Sequence, residues 1–476
     1  MMVSERRLRR TKIVATLGPG SAAEDMIRSM IAAGVNVFRI NSSHGTTESR
    51  ADMMQLVRRV GSELDVHVGL LVDLQGPRIR VGQLDEPVEL EPGSDIVFAP
   101  ESSASGAEIP TTYEYLAADV TVGNRILLDD GLLVTQVSGI ADERVTATVI
   151  HGGWLGSNKG INLPGVQVSA PAVTEKDVAD IKVAIENHAD YLGVSFVRRG
   201  KDVEAVREKV PSWMRLVAKI EKLAALEHLQ EIIETADVVM VARGDLGVEL
   251  PFEKVPLAQK RVIAEAIRLG KPVITATQML ESMMRSLRPT RAEASDVANA
   301  ILDGTDAVML SAETAIGEYP VEAVNAMARI ITEIERFALD LPSLKRRRPD
   351  WSAAGDVDVE TAIAGATCAA AEMLAVPLIV CFTKSGFTAR KVSSRRPLIP
   401  ILGLSTELTT CRQLALVWGV IPEWAEQAPN YEVMLDMAKE TLVAKNYVSR
   451  GDRIVVTAGV PFDVPGTTNL LKVEVV

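Results

Sequence analysis

Leu216-Val217-Ala218-Lys219-Ile220-Glu221 and Val238-Val239-Met240-Val241-Ala242-Arg243-Gly244-Asp245 decide how this chain folds. Each is a short aliphatic run without polar alternation, closed by charged residues. A strand buried on both faces reads this way, because helices cover both sides of a parallel sheet. Six more runs of the same kind occur at 12–16, 35–40, 69–74, 191–196, 272–276 and 307–310. Amphipathic stretches separate them. Ser21 with Glu24 predicts a capping box for a helix that Gly34 ends, and Thr290 with Glu293 predicts another before a helix running to Asp303. Eight strands alternating with helices fit a closed (β/α)8 TIM barrel better than an open sheet.

Outside these runs the rhythm changes twice. Residues 76–170 are rich in Gly, Pro, Ser and Thr with short β-like runs such as 125–128 and 144–149. They predict a small all-β domain, a β-barrel lid, inserted after the third strand. The barrel pattern resumes with a helix near Thr174, which assigns 1–76 and 171–340 to the barrel and 77–170 to the insertion. A stretch at 341–356 with two prolines and the run Lys345-Arg346-Arg347-Arg348 reads as a solvated linker rather than a localisation or nucleic-acid signal. From 357 to 476 a second αβ alternation predicts a separate open α/β domain, with strands at 378–382, 399–404, near Val420, at 453–456 and at 470–475.

Composition narrows the partners. A formal net charge of −12 argues against nonspecific nucleic-acid binding, yet it leaves room for an Arg and Lys cluster in one cleft. Cys368, Cys381 and Cys411 match no metal or redox spacing and read as reduced, buried thiols. Residues 1–10 lack the apolar centre of a signal peptide, and no apolar run has the length of a bilayer span. The expectation is a cytoplasmic protein.

In a β/α barrel the chemistry gathers where strands end. Strand two leads into Arg39-Ile40-Asn41-Ser42-Ser43-His44-Gly45 and strand three into Asp73-Leu74-Gln75-Gly76-Pro77-Arg78-Ile79-Arg80. Strands seven and eight lead into Thr277-Gln278 and Ser311-Ala312-Glu313-Thr314. With Lys219, Glu221, Arg243 and Asp245, six of the eight strand ends carry polar or charged residues. Two carboxylates from adjacent strands, Glu221 and Asp245, suit magnesium, which takes one or two protein carboxylates and completes its shell with water and substrate oxygens. Arg39, Arg80, Lys219 and Arg243 bring positive charge for phosphate and carboxylate groups. Phosphoryl transfer needs such positioning and electrostatic stabilisation. Lys219 and Glu221 alone would read as a structural ion pair; Asp245 on the next strand adds a third charge, which calls for a bound ion or ligand. Gly244 reads as a turn glycine or an amide open to an anion, Thr277 as a strand-end hydroxyl, and His44 as a loop residue without a second histidine nearby.

These segments resemble a family. Thr11 to Pro19, Arg39 to Gly45, Asp73 to Arg80, Lys159 to Gly165, Ala218 to Glu221, Met240 to Gly247 and Arg288 to Ala300 resemble the corresponding stretches of pyruvate kinases, in the family's order and over nearly the whole chain. The resemblance implies transfer of a phosphoryl group from phosphoenolpyruvate to ADP, giving pyruvate and ATP. It makes Lys219, Arg39 and Thr277 the catalytic residues, and Arg39, Lys219, Gly244, Asp245 and Thr277 the substrate site. Glu221 and Asp245 would hold Mg2+ or Mn2+, and Asn41, Ser42, Ser43, His44, Arg80 and Lys159 would face the nucleotide. Thr277, Ser311 and Glu313 are candidates for the proton path to the enolate.

The same resemblance gives Asn41, Ser43, Asp73 and the Leu74 carbonyl to a potassium ion. Arg78, where potassium-dependent members carry glutamate and independent ones lysine, predicts that potassium is dispensable. Thr383, Lys384, Ser385, Gly386 and Thr388 resemble a loop for an effector phosphate, physically suited to an anion. Ala458-Gly459-Val460-Pro461 lacks the Trp and Arg of some fructose-bisphosphate-activated members. Ala312 and Ile316 depart from the usual Gly and Lys. A homotetramer follows from the resemblance alone. Two rivals are a magnesium barrel enzyme of enolate chemistry, such as an aldolase or carboxylyase without need of Arg80 and Lys159, and a non-catalytic sensor acting through the C-terminal domain.

Overall fold

The aliphatic runs close on themselves. The computed structural model describes residues 9–340, 357–460 and 466–476. The first three strands are β1 (Lys12–Leu17), β2 (Val37–Asn41) and β3 (Gly69–Asp73). Eight short strands follow, β4 (Val88–Leu90), β5 (Asp95–Pro100), β6 (Ile109–Thr111), β7 (Arg125–Leu128), β8 (Leu133–Ala141), β9 (Arg144–His151), β10 (Gly153–Leu155) and β11 (Ile161–Asn162). Then come β12 (Tyr191–Val194), β13 (Arg215–Ile220), β14 (Val238–Ala242), β15 (Val273–Ala276) and β16 (Ala307–Leu310). Strands β1 to β3 and β12 to β16 form one closed parallel barrel, shut by pairing of Lys12 with Ala307 and Ile13 with Val308.

Strand periodicity decides which side chains face inward. Val37, Leu71, Tyr191, Val217, Met240, Ile274 and Met309 fill the interior, while Ala218 and Ile220 pack outward with the helices. Burial of each such aliphatic side chain stabilises the fold by about 1.5–3 kcal/mol. Two residues further along the inward face stand Arg39, Asp73 and Lys219, so one alternation builds both core and mouth.

The β4–β11 segment forms a six-stranded sheet in the order β11-β7-β8-β9-β5-β6 and a β10-β4 ribbon. Its two edges are joined by the chain around Arg80: Ile161 and Val81 exchange bonds with Ile79 and Lys159 on one side, and Thr112 bonds to Arg80 on the other. Downstream, β17 (Ile379–Phe382), β18 (Ile401–Ser405), β19 (Val420–Trp424), β20 (Arg453–Ala458) and β21 (Leu470–Val475) form an open sheet ordered β19-β18-β17-β20-β21, antiparallel only at β21. This second unit closes the base of the barrel: Leu416 joins the barrel interior, Lys12 donates to the Val420 carbonyl at 2.7 Å, and Tyr191 donates to the Gln413 carbonyl.

Local expectations mostly carry over, with instructive exceptions. Thr290 and Glu293 form their capping box, and Gly34 ends its helix with φ 118°. Ser21 does not cap: its hydroxyl accepts from Gly18 at 3.2 Å, the helix Glu24–Ala33 starts after an extended Ala23, and Glu24 instead meets Arg59 at 2.6 Å. The second strand begins at Val37 rather than Val35, because the Val35 amide is drawn back to Met30 by the glycine cap. The fourth ends at Val194, where Ser195 and Phe196 turn away. The expected linker, with its Lys345–Arg348 run, lies outside the described residues.

Candidate active site

Lys219 stands at the centre of the barrel mouth. Its ammonium lies 2.7 Å from Glu221 Oε1 and 3.3 Å from Asp73 Oδ1, and donates to Ser195 Oγ at 2.8 Å. The Asp73 contact is an ion pair rather than an aligned hydrogen bond, since Oδ1 has no hydrogen-bond partner. Arg39 grips the other oxygen of Asp73 at 2.7 Å through Nε and donates to Thr16 Oγ1 at 3.1 Å. Gly193 permits this projection, because a Cβ there would sit 2.6 Å from Asp73 Oδ1.

The electrostatics follow from burial and neighbours. Burial pulls the Lys219 ammonium down, but Asp73 and Glu221 outweigh it, so the group stays charged with a raised pKa. Burial also resists ionisation of Asp73, and Lys219 and Arg39 overcome that, holding its carboxyl below the usual range. Glu221 goes the other way: burial, reinforced by Asp245, raises it despite Lys219. Its Oε2 accepts the Phe196 amide at 2.7 Å. A buried carboxylate that feels a second carboxylate and retains lone pairs matches the oxygen donors a hard divalent cation takes. Among the described residues no group of three or more His, Cys, Asp or Glu could hold a metal. A two-carboxylate set relies on substrate and water for the remaining positions.

Gly244 and Thr277 are locked together: the Gly244 amide donates to Thr277 Oγ1 at 2.8 Å, and that hydroxyl donates to the Ala276 carbonyl at 2.7 Å. Thr277 and Gln278 both adopt left-handed backbone, φ 68° and 54°, which non-glycine residues rarely do. Arg243 braces this turn. Its guanidinium donates to the Thr277 carbonyl at 2.6 Å and to Asp296 at 2.8 Å. Arg243 therefore serves the frame, contrary to its sequence reading as a charge for substrate. Glu313 is likewise engaged by the backbone amides of Leu280 and Ser311, at 3.0 and 2.7 Å, whereas Ser311 Oγ is buried without a hydrogen-bond partner.

The nucleotide candidates are divided. His44 is exposed and Asn41 accepts the Ser43 amide at 3.1 Å, but Ser42 is fully buried, its carbonyl held by Lys176 at 2.6 Å. On the insertion, Lys159 pairs with Asp129 at 2.9 Å, Arg80 donates to the Asn158 carbonyl at 2.8 Å, and Arg78 pairs with Asp130 at 3.1 Å. Arg78 thus has its carboxylate partner on the insertion, not at Asp73. A cleft of about 490 Å³ separates barrel and insertion, lined by Arg78, Asn162, Phe196, Arg198, Lys222 and Asp245 among others.

Far from this mouth, Thr383, Lys384, Ser385 and Thr388 line a cavity of about 460 Å³ in the C-terminal unit. Gly386, φ 77°, starts the helix Phe387–Ser394, and the Thr388 hydroxyl lies 2.9 Å from that of Thr468. Ser195, the Phe196 amide and Thr16 were missed from sequence, where the first and fourth strand ends looked bare. Counting the inward face from Tyr191 to Ser195 would have found the serine.

The fold and mouth define a β/α-barrel enzyme equipped to stabilise an anion in transfer beneath an inserted β domain. The comparisons agree. The family model described as "Pyruvate kinase, barrel domain" matches residues 8–324, and "Pyruvate kinase, alpha/beta domain" matches 361–474. Pyruvate kinases of Staphylococcus aureus strains USA300 and NCTC 8325 are each 44% identical over 98% of this chain and 81% of theirs. The crystal structure of a pyruvate kinase from Cryptosporidium parvum superposes with a TM-score of 0.92 at 34% identity, covering 100% of this chain and 98% of that one. The chain belongs to the pyruvate kinase family. Its reaction is transfer of the phosphoenolpyruvate phosphoryl group to ADP, a step of glycolysis, and the family in general depends on a divalent metal and on K+. Among the described residues no helix is long and apolar enough to cross a membrane.

Proposed function

We infer that the reaction runs on Lys219, Arg39 and Thr277, with Arg39, Lys219, Gly244, Asp245 and Thr277 holding phosphoenolpyruvate. The observation that carries this reading is the buried ammonium of Lys219, 2.7 Å from Glu221 and beside Asp73 and Arg39 at the barrel mouth. Arg39, oriented by Asp73, clamps an anionic group of the substrate, and Lys219 offers a mobile point charge to the phosphoryl group in flight. Glu221 and Asp245 hold Mg2+ or Mn2+, which when bound neutralises charge on the transferring group and its oxygens. Asn41, Ser42, Ser43, His44, Arg80 and Lys159 serve the nucleotide. The insertion over 77–170 acts as a lid on the barrel of 1–76 and 171–340, excluding water that would compete as acceptor. For the enolate's proton, the unbonded Ser311 hydroxyl is favoured over the engaged Glu313.

The test is pyruvate formation from phosphoenolpyruvate and ADP with and without a divalent metal. Activity restored by Mg2+ or Mn2+ after chelation is expected; full turnover in excess chelator would remove Glu221 and Asp245 from their role. Potassium, whose ligands would be Asn41, Ser43, Asp73 and the Leu74 carbonyl, is dispensable on this reading because of Arg78. The Arg78–Asp130 pair makes its action one exerted from the lid side of the cleft.

The loop of Thr383, Lys384, Ser385, Gly386 and Thr388, in the α/β unit of 357–476, binds a phosphorylated effector. A monophosphorylated metabolite or AMP is favoured over fructose bisphosphate, since Val460 lines the same cavity and brings no second cation. A shift of the substrate curve by fructose bisphosphate alone would overturn that choice. The protein is cytoplasmic and assembles as a homotetramer. Supporting the assembly, Phe252, Leu257, Leu287 and Ile316 are 85%, 68%, 59% and 59% exposed on the barrel. Light scattering that returned a monomer mass would count against it.

A further inference from the structure

The fourth strand end, bare of charge, sits between the lid and the catalytic pair. Ser195 Oγ donates to the Leu74 carbonyl at 2.8 Å and accepts from Lys219 at 2.8 Å. The next residue, Phe196, is left-handed at φ 56° and gives its amide to Glu221 at 2.7 Å. Two successive residues thus hold Lys219 and Glu221, one by side chain and one by a backbone conformation that non-glycine residues seldom keep without cause.

The same corner abuts the hinge where the chain leaves the barrel for the lid. Gly76 has φ 67°, and a Cβ there would lie 3.0 Å from both Ser195 Cβ and Phe196 Cδ2. Its amide donates to Asp177 Oδ1 at 3.1 Å. Asp177 is fully buried, and its other oxygen accepts the Thr174 amide and hydroxyl at 2.9 and 2.7 Å, where the chain returns from the lid. One carboxylate therefore buckles the outgoing and returning segments, and the outgoing one rests on the corner that holds the catalytic pair.

We propose that Ser195 and Phe196 are positioning residues that couple the lid hinge, buckled by Asp177, to Lys219 and Glu221. Movement of the lid at Gly76 is felt at the corner, which sets how Lys219 stands between Ser195, Asp73 and Glu221. Closure and readiness of the transferring charge are then one event. This rests on the reading of Lys219 as the group that stabilises the phosphoryl in transfer.

The experiment compares kcat, KM for phosphoenolpyruvate and ADP, and unfolding temperature in the full chain and in Lys219→Met, Ser195→Ala, Asp177→Asn and the Ser195→Ala/Asp177→Asn double variant. Ser195→Ala is expected to lower kcat about tenfold or more, in the range of losing one oriented polar partner. Both KM values should stay within about threefold, and the unfolding temperature should be little changed, a split that a packing defect would not produce. Asp177→Asn should also lower kcat, and the double variant should lose much less than the product of the two single losses, because both break one coupling. Wild-type kcat in Ser195→Ala, or losses that multiply in the double variant, overturns the proposal. If Asp177→Asn does not fold, Thr174→Val removes the hydroxyl's two bonds with Asp177, to its carboxylate and from its amide, and replaces it in the cycle. If Lys219→Met turns over normally, the reading of Lys219 fails; if Lys219→Met is inactive and Ser195→Ala is normal, only the coupling fails.

Discussion

At the base of the barrel, each of three aspartates stands just before an even-numbered barrel strand and meets an arginine and a backbone amide. Asp190 pairs with Arg58 at 2.8 Å and accepts the Leu70 amide at 2.8 Å. Asp237 pairs with Arg207 and accepts the Leu216 amide at 2.9 Å. Asp306 pairs with Arg396 at 2.9 Å and accepts the Val273 amide at 3.0 Å. At the mouth, β3 and β13 carry Asp73 and Lys219, and Glu221 and Asp245 follow just beyond β13 and β14; here ammonium and carboxylates share one another and Asp245 opens on the cleft. Each carboxylate at the base is paired with an arginine of the protein, and the Asp306–Arg396 pair ties the start of β16 to the C-terminal unit. Charge at the mouth is gathered to be completed by something bound. This division is expected of a β/α barrel, in which one face carries stability and the other chemistry.

The comparison breaks if the two ends exchange behaviour. Asp306→Ala strands the mostly buried Arg396 and an amide, which should cost about 3–5 kcal/mol. The measurement is denaturant unfolding, with kcat at low temperature expected to remain near normal in the folded fraction. A collapse of kcat at unchanged stability would mean that the base takes part in the chemistry. At the mouth, Lys219→Met should keep the fold and lower kcat by about a hundredfold or more. Near-normal turnover in the folded variant would show that another cation performs the task.

Acid stability sharpens the contrast further. Burial resists ionisation of Asp237, but Arg207 and the Leu216 amide prevail and depress its pKa. A depressed carboxyl contributes stability above its unfolded value that is lost as pH falls through the folded one. Asp237→Asn should therefore lower the unfolding temperature at neutral pH and make its decline in acid shallower; an unchanged acid slope would remove Asp237 from the balance. The smallest effect concerns potassium. Rates in potassium and in a large organic cation at equal ionic strength should agree within about twofold, because on this reading the Arg78 guanidinium supplies the single positive charge that the ion would bring. Arg78→Glu should create a requirement. A tenfold stimulation of the unaltered protein would show that Arg78, paired with Asp130, does not replace the ion.

Much of this was determined by sequence alone. Aliphatic runs at 216–220 and 238–242 mark buried parallel strands, and the charges that close them mark the mouth, because strand alternation and strand ends are properties of neighbouring residues. The capping box at Thr290 is equally local. Other assignments depended on what lies opposite. Ser21 and Glu24 have the spacing of a cap, yet a turn at Gly18 and the guanidinium of Arg59 captured them. Arg243 reads as a substrate cation and proves to brace the left-handed turn at Thr277. Ser195 carries no charge and drew no notice, yet it bonds to Leu74 and Lys219, 121 and 24 residues away. A sequence states which groups face inward; closure of the barrel and docking of the insertion decide which inward groups meet, because those contacts join residues whose separation along the chain leaves no local pattern.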